Sequence, residues 1–182
     1  MPSEPTVGRR RFMAGAAAAA FCAIAAPAVA APRPLPRRVI AFDHLHTGER
    51  LSLVYWAEGR YVPGALARVN HLLRDFRTGD VHPIDPRLLD LLAAVSARLG
   101  TQEPYEIVSG YRSPATNEWL REHTEGVASN SLHMEGRAVD VRIPGRSLRA
   151  LHKAALALKG GGVGYYPRSD FVHVDVGPMR RW

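Results

Sequence analysis

The sequence contains a single cysteine, Cys22, which lies in an Ala-rich apolar segment near the start of the 182-residue chain. If this segment is removed, the remaining chain has no thiol, which excludes both disulfide bonds and a cysteine nucleophile. The residues after Cys22 do not form a lipoprotein cleavage site, so no lipid anchor is expected. Any catalytic chemistry must therefore come from other residue types.

The sequence also lacks a dense run of Lys and Arg interleaved with aromatic residues, although its formal net charge is +7. Such a run is typical of nucleic-acid-binding proteins, so nucleic acid is not expected as a partner. Positive charge can attract other polyanions, including anionic lipid or an acidic wall polymer. The composition, 46% hydrophobic and 23% charged, is ordinary for a globular domain.

Residues 1–30 are predicted to be a bacterial export signal and not part of the fold. Arg9-Arg10-Arg11 precede Phe12-Met13 and an Ala-rich apolar run, and Ala28-Val29-Ala30 has the small residues of a cleavage site. The two arginines followed by Phe-Met resemble the twin-arginine signal. The mature protein is therefore expected in the periplasm.

An uncleaved membrane anchor is the alternative for this segment. The apolar run is short and weakly hydrophobic for a span, so no stable membrane insertion of the mature chain is expected. Removing residues 1–30 takes away three Arg and one Glu and leaves 21 basic and 16 acidic residues, a net charge of +5.

Residues 31–38 are rich in Pro and Arg and are predicted to be a flexible lead-in to a single domain over residues 39–182. Strands are predicted from short apolar or alternating runs, and helices from apolar residues at helical spacing with capping residues near their starts. The predicted strands are 39–42, 51–55, 105–109, 138–143, 163–166 and 171–176. The predicted helices are 63–77, 86–99, a short one after Pro114, and 147–158, the last ended by glycines 160–162, and a surface loop is predicted over 122–130.

Two stretches contain residue types that bind zinc, Ser131–Asp140 and the strand-like run Phe171–Asp175. His133, Asp140 and His173 supply the imidazole and carboxylate ligands of hydrolytic zinc sites, and three protein ligands leave a fourth position for water. The seven-residue separation of His133 from Asp140 excludes a single helical face. A loop that runs into a strand is predicted instead, with a turn at Gly136.

The last strand also supplies candidates for a general base. Alternation along an extended run places Phe171, His173 and Asp175 on one side, so Asp175 can orient a neighbour or contact the water. Asp170 lies just before the strand, where a turn can bring its carboxylate to the same water. Attack on an amide requires a base, and either aspartate could serve.

Two further features of the sequence have weaker interpretations. Arg112 follows a predicted strand, where it could bind a carboxylate or a developing oxyanion, with a structural ion pair as the alternative. His44 and His46 would share one face of an extended segment, but no third ligand is visible nearby. A second metal site at this pair is therefore not expected.

The spacing Ser131-x-His133-x-x-Gly136-x-Ala138-x-Asp140, followed by His173, resembles the zinc-site pattern of one family. That family includes lysostaphin-type enzymes, D-alanyl-D-alanine peptidases and the hedgehog domain. The stretch Ser109–Ser113 also matches the family pattern, and the ending from Gly161 to Trp182 is similar to that of a murein endopeptidase branch.

The resemblance implies a small α+β fold, with an antiparallel sheet and flanking helices, one zinc ion per chain, and hydrolysis of peptidoglycan cross-links at meso-diaminopimelate. It makes His133, Asp140 and His173 the ligands, and it gives Arg112 the role of stabilising the tetrahedral intermediate or gripping the substrate. Ser131 is expected to contact substrate. Relatives place an acid at the position of Asp170 or a His at the position of Phe171, so this chain leaves the base open between Asp170 and Asp175.

Three functions fit these features. The first is a zinc endopeptidase, expected to be monomeric, that acts on stem peptides of peptidoglycan during growth or remodelling of the wall. The second is a D,D-carboxypeptidase that removes terminal D-alanine, which would differ in pocket shape. The third is a module that holds zinc and binds peptidoglycan without turnover.

Overall fold

The structure is a computed structural model that describes residues 36–124 and 126–182. The predicted export signal, residues 1–30, lies outside these residues, as does most of the predicted lead-in. Within the described ranges, four α-helices and a short 3-10 helix accompany one eight-stranded sheet. The predicted α+β class is confirmed.

The elements alternate along the chain without a repeating unit. The strands are β1 (Arg37–His44), β2 (Arg50–Ala57), β3 (Arg60–Tyr61), β4 (Tyr105–Ser109), β5 (Ala138–Arg142), β6 (Gly162–Tyr166), β7 (Phe171–Asp175) and β8 (Arg180–Arg181). The helices are α1 (Pro63–Leu72), α2 (Pro86–Leu99), α3 (Pro114–His123) and α4 (Leu148–Leu158), with the 3-10 helix at Leu132–Glu135.

The sheet has the strand order β3-β2-β1-β4-β5-β7-β6-β8 and is mixed. The prediction of an antiparallel sheet is therefore wrong for two pairs, because β1 with β4 and β6 with β8 run parallel. Two helices separate β1 from β4, which gives the chain the length that a parallel crossover requires. A turn after β7 reverses the chain, so β8 runs in the direction of β6. The sequence pattern did not predict β8.

The helix α1 ends at Leu72, earlier than the predicted residue 77. The backbone that follows makes tertiary contacts in place of a further helical turn. The carbonyl of Leu73 accepts a hydrogen bond from Tyr111 N at 2.7 Å, and the carboxylate of Asp75 accepts one from Ser113 N at 2.8 Å. These contacts tie the end of α1 to the turn after β4.

The other helices begin where the sequence predicts. Asp85 caps α2 by accepting a hydrogen bond from Arg87 N, and Gly100 ends it in the left-handed conformation. Ser147 caps α4, but Lys159 and not a glycine ends that helix, at φ 53°. α3 continues to His123, into the segment predicted as a loop.

The core lies between one face of the sheet and the helices α2 and α4. α2 contacts β1 and α4, and α4 contacts β6 and β7. The core side chains of β5 and β7 are Val139, Val141, Val172 and Val174, which are fully buried. Because side chains alternate along a strand, the residues between these valines point to the other face of the sheet. No helix within the described ranges is long and apolar enough to cross a membrane.

Candidate metal centre

Two of the predicted ligands lie on neighbouring strands of the sheet. Asp140 on β5 pairs directly with His173 on β7, so both side chains leave the sheet at the same place. The register that joins them also joins Val139 to Val174 on the core face. The alternation of polar and apolar residues therefore specifies which residues face the site.

The third predicted ligand, His133, lies on the 3-10 helix before β5. Gly136 ends this helix at φ 64°, and a Cβ atom at Gly136 would lie 2.1 Å from the carbonyl oxygen of Pro83. Only glycine fits this position, because other residues disfavour the left-handed conformation and would also clash with backbone. The glycine of the motif thus brings His133 back over β5.

The three side chains converge on one point. His133 Nε2 lies 3.2 Å from His173 Nδ1, and Asp140 Oδ1 lies 2.9 Å from His173 Nδ1 and 3.3 Å from His133 Nε2. Ligand bonds of about 2.0–2.2 Å in a tetrahedral zinc site place neighbouring ligand atoms roughly 3.3 Å apart. All three side chains are buried, and no other described residues form such a His, Cys, Asp or Glu group.

The outward nitrogens of the two imidazoles fix the protonation of the inward ones. His133 Nδ1 lies 2.7 Å from the carbonyl oxygen of Gly110, and His173 Nε2 lies 3.2 Å from Asp175 Oδ2. Both oxygens can only accept hydrogen bonds, so the outward nitrogens carry the protons in the neutral rings. The inward nitrogens then present lone pairs to each other and to a carboxylate. This donor set fits a bound cation such as Zn²⁺.

Burial and charge affect the three ligands differently. Burial lowers the pKa of His133, whereas the pKa of Asp140 lies well below its ordinary value because the effects of both histidines outweigh its burial. Burial also lowers the pKa of His173, but its hydrogen bonds to Asp140 and Asp175 raise it more. The two carboxylates thus favour positive charge at the point where the ligands meet, which a metal ion can provide.

The structure also brings Arg112 to the ligands. Its Nη2 lies 2.5 Å from Asp140 Oδ2 and 3.3 Å from His133 Nε2, while its Nε donates to Ser109 Oγ at 3.0 Å. Gly110 permits this turn, because a Cβ there would lie 2.4 Å from the carbonyl oxygen of Leu73. The guanidinium holds one oxygen of Asp140 and leaves the other facing the histidines.

The remaining predicted site residues have distinct positions. Ser131 lines the cleft, and its hydroxyl caps the 3-10 helix by accepting from His133 N at 3.4 Å. Asp175 is fully buried and contacts His173. The Asp170 side chain is 61% exposed, pairs with Arg142 Nη1 at 2.7 Å and does not line the cleft. The structure thus brings Asp175, and not Asp170, to the ligands.

The ligands line a cleft of about 530 Å³. Its wall includes residues that the sequence analysis did not assign to the site, among them Arg77, Tyr166 and Trp182. Trp182 Nε1 donates to Tyr166 Oη at 2.6 Å, and the indole lies 5.2 Å from the imidazole of His173, centroid to centroid. These residue types are not the usual ligands of zinc, so the sequence alone did not indicate that they line the cleft.

His46 also lines the cleft, and no third His, Cys, Asp or Glu among the described residues completes a ligand group with His44 and His46. The buried His44 accepts hydrogen bonds from the backbone of His46 and Thr47 through Nδ1, and the imidazole of His46 stacks on Phe76. The contacts of the two histidines therefore stabilise the loop that follows β1.

Comparison with known proteins identifies the family. The family described as peptidoglycan L,D-endopeptidase MepK matches residues 33–182. Peptidoglycan L,D-endopeptidase MepK of Escherichia coli strain K12 is 43% identical over 178 residues, which cover 96% of each chain. The probable enzyme of that name from Haemophilus influenzae is 41% identical over 155 residues, or 85% of this chain and 82% of the relative. These matches confirm the resemblance to the murein endopeptidase branch, and the chain belongs to the peptidoglycan L,D-endopeptidase MepK family.

Proposed function

We propose that this protein is a zinc-dependent murein endopeptidase that hydrolyses peptide cross-links of peptidoglycan, with one zinc ion per chain. The observation that carries the proposal is the convergence of two imidazole nitrogens and a carboxylate oxygen, 2.9–3.3 Å apart, at the wall of the cleft. The names of the relatives support peptidoglycan as the substrate.

His133, Asp140 and His173 would hold the zinc ion. When bound, zinc supplies Lewis acidity, which polarises a carbonyl and lowers the pKa of water to about 7. Arg112 holds Asp140 Oδ2 and lines the cleft, where its remaining N–H groups can donate to an oxyanion that develops on the substrate. Ser131 lines the same cleft and is proposed to contact substrate.

We assign Asp175 the role of a positioning residue. Its Oδ2 accepts from His173 Nε2 and Arg180 Nη2, and its Oδ1 accepts from Gly162 N and Gly177 N. Burial raises the pKa of Asp175, but the hydrogen bonds from His173, Gly162 N and Gly177 N and the charge of His173 lower it more. A carboxylate held this way is a poor proton acceptor. Asp170 would have to leave Arg142 to act as general base.

The proposed location is the periplasm, reached through the twin-arginine signal predicted over residues 1–30. Proteins carried by such signals are normally exported already folded, which suits a domain that acquires its metal inside the cell. We propose that the mature protein acts as a monomer, and its net charge of +5 favours attraction to an anionic wall polymer.

The test is a digest of purified peptidoglycan sacculi by the mature protein, with and without a chelator, followed by mass analysis of the muropeptides. Conversion of cross-linked dimers to monomers only without chelator supports the proposal. Loss of terminal D-alanine with an unchanged dimer fraction would indicate a D,D-carboxypeptidase. No change, from protein confirmed to hold zinc, would indicate a binding module.

A variant of one proposed ligand tests whether cleavage in the digest depends on this site. Asp140→Ala is expected to abolish both zinc binding and cleavage, because the site loses its only carboxylate ligand. Full cleavage by a folded Asp140→Ala variant would contradict the proposal.

A further inference from the structure

Three guanidinium groups line the cleft, and they differ in what neutralises them. Arg112 pairs with Asp140, and Arg180 pairs with Asp175 at 2.8 Å. Arg77 forms no salt bridge with any residue of the described ranges 36–124 and 126–182. Among the described residues, it is thus the cleft arginine without a carboxylate in direct contact.

The position of Arg77 is fixed relative to Arg112. The buried carboxylate of Asp75 accepts a hydrogen bond from Arg77 N at 2.9 Å through one oxygen and from Ser113 N at 2.8 Å through the other. The guanidinium carbon of Arg77 lies 4.3 Å from the ring centroid of Phe76, which also stacks on His46. One side chain thus holds the backbone at both arginines.

The electrostatic environment of Arg77 favours an anion. Partial burial lowers the pKa of Arg77, the charge of Asp75 raises it, and the positive charge of Arg112 lowers it again. An arriving carboxylate would therefore reduce the repulsion between the two cations. A guanidinium is also suited to bind a carboxylate through two parallel hydrogen bonds.

The strand order gives the cleft two unlike sides. His46 follows β1 and Arg112 follows β4, whereas the ligands on β5 and β7 come next across the sheet. Tyr166 on β6 and Trp182 beside β8 lie beyond the ligands. A substrate that spans the candidate metal centre thus meets Arg77 and Arg112 on the β1–β4 side. On the β6–β8 side it meets the rings of Tyr166 and Trp182 and one arginine, Arg180, whose charge is paired with Asp175.

We propose that Arg77 is a specificity-determining residue that binds a free carboxylate of the substrate on the β1–β4 side of the metal centre. The substrate class consists of peptides in which the carbon attached to the scissile amide nitrogen also carries a carboxylate. Such a carboxylate lies next to the scissile nitrogen, and Arg77 lines the same cleft as Arg112 and the candidate ligands. The inference rests on the proposed function, which supplies the bond that is cleaved.

The test compares two proteins on two substrates and asks whether the effects of the substitution and of the substrate change are coupled. Zinc-loaded wild type and Arg77→Gln are assayed on a cross-linked stem peptide with that carboxylate free and on the same peptide with it amidated. Arg77→Gln is expected to lower kcat/KM on the free carboxylate about 10- to 100-fold, mainly through KM, as loss of a charge-assisted hydrogen bond implies. Amidation is expected to cost wild type a similar factor and to cost the variant little.

Two controls separate this role from a general effect of charge or folding. Arg149→Gln removes an exposed charge on α4 outside the cleft and should leave both substrates unaffected. Arg77→Lys keeps the charge without the planar fork and should retain part of the preference for the free carboxylate. Thermal unfolding of each variant confirms that it is folded.

Equal losses on both peptides for Arg77→Gln, so that the effects of substitution and amidation multiply, would overturn the inference. If wild type cleaves neither peptide, the proposed function fails. The role of Arg77 is then decided by measuring the dissociation constants of both peptides for wild type and Arg77→Gln. Coupled losses in binding would then uphold the carboxylate site, and independent losses would overturn it.

Discussion

The carboxylate of Asp175 accepts a hydrogen bond from the outward nitrogen of His173, with Oδ2 and Nε2 3.2 Å apart. Asp175 is fully buried, so this contact is shielded from water. The hydrogen bond directs Nδ1 of the same ring to the point where Asp140 and His133 meet. A residue outside the ligand set therefore determines which nitrogen His173 offers to a metal.

Substitution of Asp175 is expected to weaken metal binding. Asp175→Asn keeps the shape of the side chain but removes its charge, and contacts of this type typically contribute about 10- to 100-fold in metal affinity. Competition with a chromogenic chelator measures the zinc dissociation constant. An unchanged constant would show that Asp175 does not orient His173.

Substitution of Asp170 distinguishes its role from that of Asp175. Asp170→Asn is expected to leave the zinc dissociation constant unchanged, because its carboxylate pairs with Arg142 away from the ligands. If Asp170 is the general base, kcat falls by about 100-fold or more, as removal of a general base generally does. Cleavage at the wild-type rate would exclude Asp170 from that role.

The turn at Gly136 is expected to tolerate no side chain. Gly136→Ala combines a left-handed φ with a clash against the backbone of Pro83 and should lower the free energy of unfolding by at least about 2 kcal/mol. Gly145 is a matched control, because its φ is 70° but a Cβ added there would have no atom within 4 Å. Urea denaturation should show a loss of only about 1 kcal/mol for Gly145→Ala. Equal losses would mean that close packing at Gly136 has no cost.

The buried His44 predicts a loss of stability in mild acid. Burial lowers its pKa from 6.5 to about 4, and its Nε2 has no hydrogen-bond partner among the described residues. Because the unfolded chain takes up this proton more readily, stability falls as the pH drops from about 6.5 towards 4, by up to about 3 kcal/mol.

The variant that checks this effect is His44→Asn. The Asn carbonyl oxygen can still accept from the backbone of His46 and Thr47, but it does not titrate. Urea denaturation at pH 7 and pH 4.5 should show a smaller loss of stability for the variant than for wild type. Parallel losses in both proteins would assign the acid sensitivity to other groups.

The sequence predicted that His133, Asp140 and His173 come together because local rules determine their placement. Alternation along β5 and β7 puts Asp140 and His173 opposite the core valines, and a glycine turn returns His133 to them. The end of α1 depends on groups distant in sequence. Leu72 and Leu73 are buried, as helical spacing predicted, but Asp75 bonds to Ser113 on another segment. The parallel strand pairs join strands that other elements separate along the chain, so local patterns could not predict them.

The register of β5 and β7 would couple assembly of the sheet to the proposed metal binding. A slip of one residue would turn His173 into the core and bring a valine to the site, because side chains alternate between faces. A slipped chain would lose apolar burial and a ligand at once. An ion that binds only the correctly paired strands stabilises that pairing by mass action. Bound zinc would therefore favour the correct strand register over slipped ones before the protein reaches its substrate.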